Sequence, residues 1–277
     1  MKKKKPPYGI SNYESLITDN YYFVDKTKYI EILEEVPEKS IFFLRPRKFG
    51  KSLFVSMLQY YYGVEYKNKF DSLFGEFYIG KNPTEKANKY YVVSFDFSGI
   101  LTETPETTFE SFNEKVIIGI NYFNNTHNLF NQEIIENIVK HRSASDIMNN
   151  FIMYFAGVKP GEKLFVLIDE YDHFTNELIS FRLTEFQDIV SRNGYVRKFY
   201  EAIKVGVGKG IIDRFFATGV TPVTLDSLTS GFNIAKDFTL DRRFNEMQGF
   251  TPDEVKSILE YYEIEKSDEV LSDLERL

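Results

Sequence analysis

The sequence predicts an α/β protein whose mostly parallel, five-stranded sheet is flanked by helices. Three observations carry that expectation. Short apolar runs that read as buried strands recur along the chain, long helical patterns lie between them, and two of the runs end in residues suited to phosphate or cations.

The first strand is Ser40–Leu44 (SIFFL), stopped by Arg45-Pro46. A helix follows over Lys51–Gly63, because Leu53, Phe54, Met57, Leu58 and Tyr61 recur at helical spacing and Gly63 is a stop signal. Tyr90–Phe97 is β-branched and aromatic and reads as the second strand. Glu106 to Ala156 is helical, with breaks expected near Asn124-Asn125 and Ser143. Lys163–Asp169 (KLFVLID) is the clearest buried strand, and Leu178–Val205 is mostly helical with an interruption near Asn193-Gly194. Arg214–Val220 is a fourth strand, and Asp237–Leu240 a short fifth. Thr251-Pro252-Asp253-Glu254 starts a helix: Thr251 caps, Pro252 suits the first helical position, and Glu254 completes a capping box. A last helix is expected near Ser267. The division is then a disordered basic tail over 1–7, a core over 8–250, and the beginning of a helical lid over 251–277.

Composition narrows the function. Hydrophobic residues make up 43% of the 277, enough for a real core, and aromatics reach 17% with no Trp. There is no Cys, which excludes disulfides, thiolate metal sites and cysteine nucleophiles. His127, His141 and His173 are too widely spaced for a histidine metal motif. The basic N-terminus lacks the apolar stretch of a signal peptide, and the longest apolar run, near Phe151–Val158, is far too short for a membrane span. The expectation is a cytoplasmic protein that does not enter membranes. With Lys2, Lys3, Lys4 and Lys5 set aside, 30 basic residues face 41 acidic ones, a net of −11 that disfavours broad nucleic-acid binding.

Between the first strand and its helix lies Arg45-Pro46-Arg47-Lys48-Phe49-Gly50-Lys51-Ser52-Leu53, which contains the second half of the P-loop pattern GxxxxGK[ST]. Gly50 lets backbone approach a phosphate, helix-start N–H groups point at the anion, Lys51 supplies an ammonium, and Ser52 can ligate Mg²⁺. Arg45 replaces the first Gly of the pattern, and Arg45, Arg47 and Lys48 add positive charge. Gly206-Val207-Gly208-Lys209-Gly210 is a decoy that precedes a strand and reads as a flexible turn. At the end of the strand Leu164–Asp169, Asp169 can hold Mg²⁺ and Glu170 can polarise an attacking water. Asp172 reads as a helix cap, with metal binding the alternative.

These motifs resemble the predicted AAA-ATPase family of bacterial proteins, within the additional-strand P-loop NTPases. The resemblance spans about residues 7–265 and is carried by Tyr8-Gly9-Ile10, Tyr22–Thr27, Leu44–Ser52, Val166–Asp172, Thr218–Pro222 and Ser230-Gly231-Phe232-Asn233. It implies ATP and Mg²⁺ as cofactors, Gly50, Lys51 and Ser52 on phosphate and metal, and Asp169 and Glu170 as the Walker-B pair. Thr218 matches a sensor position, its alternative being a core threonine satisfied by backbone. Phe23–Thr27 would lie near the base or form a turn and helix cap. Arg214, Arg242 and Arg243 are candidate transition-state arginines or surface ion pairs. Relatives of this kind often continue into a longer lid and a nuclease-like domain. No acidic ExK cluster is found here, so nuclease activity is not expected, and the length suggests a truncated or minimal form. The expected function is Mg-dependent ATP hydrolysis. The alternatives are a nucleotide-gated module that engages a protein partner and, less favoured, a nucleic-acid-handling protein.

Overall fold

The computed structural model describes residues 3–141, 143–190, 194–222 and 232–264. Its strands are β1 (Ser40–Leu44), β2 (Tyr91–Asp96), β3 (Leu164–Asp169), β4 (Ile212–Gly219) and β5 (Lys236–Asp237). They form one sheet in the order β2-β3-β4-β1-β5, and every pairing is parallel. Each parallel neighbour needs a crossover, and helices lie in the connections from β1 to β2, from β2 to β3 and from β3 to β4. The interposed β4 separates β1 from β3, so the loop after β1 and the end of β3 reach the same sheet edge from non-adjacent strands.

Period-two alternation sorts the strand side chains into two cores. Phe42, Leu44, Val93, Phe95, Leu164, Val166, Ile168, Phe215 and Ala217 face one core. That side is covered by α6 (Pro105–His127), α8 (Ala144–Val158) and α11 (Tyr195–Gly208). Ile41, Phe43, Val92, Phe165, Leu167 and Phe216 face the other, under α2 (Lys28–Glu35) and α3 (Lys51–Tyr62). Rings do much of the filling: Phe97, Phe112 and Phe199 meet with centroids 4.9–5.8 Å apart.

Several boundaries differ from the sequence expectation. Helix α6 runs through Asn124-Asn125 and ends at Asn128, whose φ of 49° is left-handed. Asn124 does not break the helix because its amide reaches past the end, donating to Phe130 O and accepting from Phe130 N–H. Ser143 behaves as expected, capping α8 by accepting from Asp146 N–H. Gly206–Gly210 is not a flexible turn. Gly206 and Gly208 lie inside α11, with Lys209 at its C-cap, and Gly206 packs against Ile212 and Ile152. Residues 3–7 are not a free arm either. Tyr22 N–H donates to Lys5 O, Lys4 N–H donates to the Tyr261 hydroxyl, and Lys5 lies over the Tyr21 ring.

The helix Pro252–Tyr262 carries the expected reciprocal capping box between Thr251 and Glu254. Glu254 also takes two bonds, of 2.6 and 2.7 Å, from Lys26, a lysine only 8% exposed. Asp25 accepts from Thr27 N–H and hydroxyl, which forms the turn expected ahead of α2. The helix expected near Ser267 lies outside the described residues. Among the described residues, no helix is long and apolar enough to cross a membrane.

Truncating Glu254 would open the capping box and strand a buried ammonium at once. Glu254→Ala is expected to cost roughly 2–4 kcal/mol of unfolding free energy, read by urea titration. Lys26→Met should recover part of that loss in the double variant.

Candidate functional site

The sheet's carboxyl edge gathers the loop after β1, the end of β3 and the end of β4. Gly50 is the N-cap of α3 in the left-handed region (φ 84°), and a Cβ built on it would meet nothing within 4 Å. The first α3 bond runs from Phe54 N–H to Gly50 O at 2.9 Å, so the N–H groups of Lys51, Ser52 and Leu53 stand at the open helix start. Lys48 (φ 69°) is a second left-handed residue and carries a side chain there. A curled backbone ending on a helix N-terminus is a place for an anion.

Lys51 is buried, and its ammonium donates to the Pro46 carbonyl at 3.1 Å. Burial lowers its pKa, opposed by the carboxylates of Glu170, Asp169 and Asp172. Phe49 O accepts from Gly249 N–H at 3.0 Å, and its ring lies against that glycine. Arg47 and Lys48 are exposed, and no described residue makes an ion pair with them.

Arg45 does not add to the phosphate-facing charge. Its guanidinium donates to the carbonyls of Leu44 and Thr239, both at 2.9 Å, and to Phe244 O at 3.4 Å, and it covers the Phe43 ring at 4.3 Å. It is a strut that fixes the start of the loop. With Arg45 and Lys51 drawn inward, the basic cluster at the surface shrinks to Arg47 and Lys48.

The end of β3 meets this loop. The Ser52 side chain lies near the Asp169 carboxyl and acts to lower its pKa. Burial raises Asp169 to about 6, Ser52 pulls it down, and the charges of Asp96 and Glu170 push it up. Asp96 ends β2 in register with Asp169, and its carboxylate accepts from Ser98 N–H. Sequence reading missed it, although the rule that picked Asp169, an acid at the carboxyl end of a strand, applies to it equally. Glu170 has φ 51° and donates its N–H to Asp169 Oδ1 at 3.0 Å, while its carboxylate lies 3.9 Å from His173 Nε2.

Two expectations change at β4. The Thr218 hydroxyl is fully buried and donates to Phe43 O at 2.8 Å, so it ties β4 to β1 and does not face the edge. Asp172 occupies the N-cap position of α9 (His173–Phe181) without a side-chain cap bond. Its buried carboxylate instead accepts from the N–H groups of Val220 and Thr221, the Thr221 hydroxyl and the Asn176 amide. A Cβ on Gly219 would collide with Asp172 and Tyr171, so only glycine passes this clamp.

The candidate arginines scatter. Arg214 is buried near the amino end of β4 and donates to Leu33 O, away from the carboxyl edge. Arg243 pairs with Asp241 at 2.7 Å, as an ordinary ion pair would. Arg242 is exposed. Ser230 and Gly231 lie outside the described residues, while Phe232 packs on Phe215 with centroids 4.9 Å apart. Among the described residues, no group of three or more His, Asp and Glu could hold a metal ion by itself.

An all-parallel five-stranded sheet with a glycine-lysine-serine loop after β1 and acids closing β3 has a fold consistent with a P-loop NTPase. The predicted AAA-ATPase family matches residues 7–229, and the chain belongs to that family. It is also similar to an "Uncharacterized protein in vnfD 5'region" of Azotobacter chroococcum mcd 1, at 26% identity over 271 residues. That match takes in 93% of this chain and 45% of the relative, so the chain spans less than half of the relative's length. No solved structure matches the chain.

The raised pKa of Asp169 has a sign that can be checked. The folded protein holds a proton there between about pH 4 and about 6 that the unfolded chain has released. Stability contributed by this group is therefore present at low pH and lost as pH rises through about 6. Denaturant titrations in chelator should show Asp169→Asn more stable than the parent at pH 7, by roughly 1–3 kcal/mol, and the gain should shrink toward pH 4.

Proposed function

We infer that the protein binds ATP with Mg²⁺ at the loop Arg45–Leu53 and hydrolyses it. The observation that carries this reading is that the Ser52 side chain lies close enough to the Asp169 carboxyl to lower its pKa, which brings together two motifs far apart in sequence. Mg²⁺ needs few protein ligands, because phosphates and water complete its shell, so one hydroxyl and one carboxylate suit it. Ser52 and Asp169 would hold the ion, whose charge would offset that developing on the phosphates.

The chain's own groups do the remaining work. The N–H groups of Lys51, Ser52 and Leu53, at the open helix start, bind phosphate oxygens, with Gly50 allowing close approach. Pro46 and Phe49 shape the loop, and Arg47 and Lys48 add charge at its rim. Lys51 leaves the Pro46 carbonyl for the phosphates, a short swing for a flexible ammonium. Glu170 orients a water and accepts its proton as the oxygen attacks the γ-phosphorus and the bond to the β-phosphate oxygen breaks. Arg45 supports the loop from behind, and Thr218 steadies β4 without touching substrate.

A second reading, a nucleotide-gated module that engages a protein partner with little turnover, is favoured by the arginines. Arg214 and Arg243 are committed elsewhere, so two of the three candidates for stabilising a transition state are spent.

Thermal stabilisation by MgATP and phosphate release separate these outcomes. Lys51→Ala should lose the ATP-dependent shift. Glu170→Gln should keep it and lose turnover by about 10²- to 10⁴-fold. Hydrolysis by both variants at the parental rate would sink the ATPase reading. A parental shift without phosphate release would select the gated module.

A further inference from the structure

We propose that Gln248 reads the base of the bound nucleotide, using its side-chain amide to bond an adenine edge beside the apolar rings of Phe49 and Phe250. The proposal rests on the nucleotide reading of the loop Arg45–Leu53.

The starting observation is an unsatisfied amide. Gln248 is 6% exposed, and among the described residues neither its Nε2 nor its Oε1 meets a hydrogen-bond partner. A buried amide that leaves both its donor and its acceptor unpaired is costly, and native proteins rarely carry one without a partner supplied from outside the chain. Its location says what that partner is. The next residue, Gly249, donates its N–H to Phe49 O and lies under the Phe49 ring, so Gln248 is one residue from direct contact with the phosphate loop. On the other side, Met247 is buried in the core, which anchors the segment.

The surroundings suit a flat, mostly apolar ligand. Phe49 and Phe250 are large rings left 40% and 62% exposed at this junction. Thr251 and Glu254 then fix the chain through the capping box and the Lys26 ion pair, which brings the Phe23–Thr27 segment to the same corner. A phosphate loop with an aromatic rim and a buried amide next to it has the parts of a nucleotide site: charge for the phosphates, apolar faces for the base, and one polar group for its identity.

The amide's chemistry fits adenine. A glutamine side chain offers a donor and an acceptor side by side, and adenine offers the complementary pair, a ring nitrogen next to the 6-amino group. Adenine presents that pair on the N7 edge as well as on the pairing edge, whereas the N7 edge of guanine carries two acceptors.

The test compares ATP, purine riboside triphosphate, which lacks only the 6-amino group, and inorganic tripolyphosphate, each titrated with Mg²⁺ into the full chain. The parent should bind ATP about fivefold or more tighter than the purine analogue. In Gln248→Leu that preference should collapse toward one, while tripolyphosphate binding persists and shows that the fold and the loop survive. If the parent binds neither ATP nor tripolyphosphate, the nucleotide reading itself is wrong. If the parent binds both but does not distinguish ATP from the analogue, or if Gln248→Leu retains the parental preference, base reading by Gln248 is overturned and the phosphate site stands. The first of these comparisons needs no variant, so a poorly folding substitution cannot shield the idea.

Discussion

The carboxyl edge of the sheet depends on how Arg45 holds the loop that leaves β1. That loop contains Lys48 and Gly50 in left-handed conformations and ends in an uncapped helix start, a shape that local interactions alone would not maintain. The Arg45 guanidinium reaches the carbonyls of Thr239 and Phe244, Leu44 N–H donates to the Thr239 hydroxyl, and Gly249 N–H closes on Phe49 O. The loop is thus pinned along its length by the segment after β5. An arginine suits this because its planar fork serves several carbonyls at once and stacks on Phe43.

The same edge is held from the β3 and β4 side by a buried carboxylate. Asp172 gathers the N–H groups of Val220 and Thr221, and Tyr171 N–H donates to Thr218 O. A charge buried this way is tolerated because several donors surround it. The end of β3, which presents Asp169 and Glu170, is therefore coupled to the loop that follows β4. Behind the Gly-Lys-Ser loop, the capping box and Lys26 extend the connection to α2 and the chain's first residues, which pack on Tyr261 and Tyr262. Lys3 and Lys4 thus meet the end of the Pro252–Tyr262 helix and the residue that follows it, where their charge suggested a free tail.

Strands and motifs were readable in the sequence because their signals are local. SIFFL and LFVLID are short apolar runs, and the Gly-Lys-Ser and Asp-Glu endings follow them directly. The capping box at Thr251 was equally plain, since its two partners are three residues apart. What could not be read was the direction a side chain takes once distant segments arrive. Thr218 meets a carbonyl of β1, Arg45 meets carbonyls beyond β5, and Asp172 turns from its own helix to the β4 loop. Asp96 gained its place only through the register that sets it opposite Asp169.

By itself, then, the sequence determined an α/β protein with a Gly-Lys-Ser loop after its first strand and an acidic pair after its third, because residue type and spacing suffice for those. Tertiary structure decided which cations face the edge and which brace it, and whether Thr218 is a surface or a core group. It also decided that Gln248 is buried one residue from a contact with the loop, with its amide unpaired among the described residues. The physical reason is that hydrogen-bond partners and desolvation are properties of the assembled fold. A guanidinium or a hydroxyl carries the same chemistry in any sequence, and only its neighbours settle what that chemistry serves.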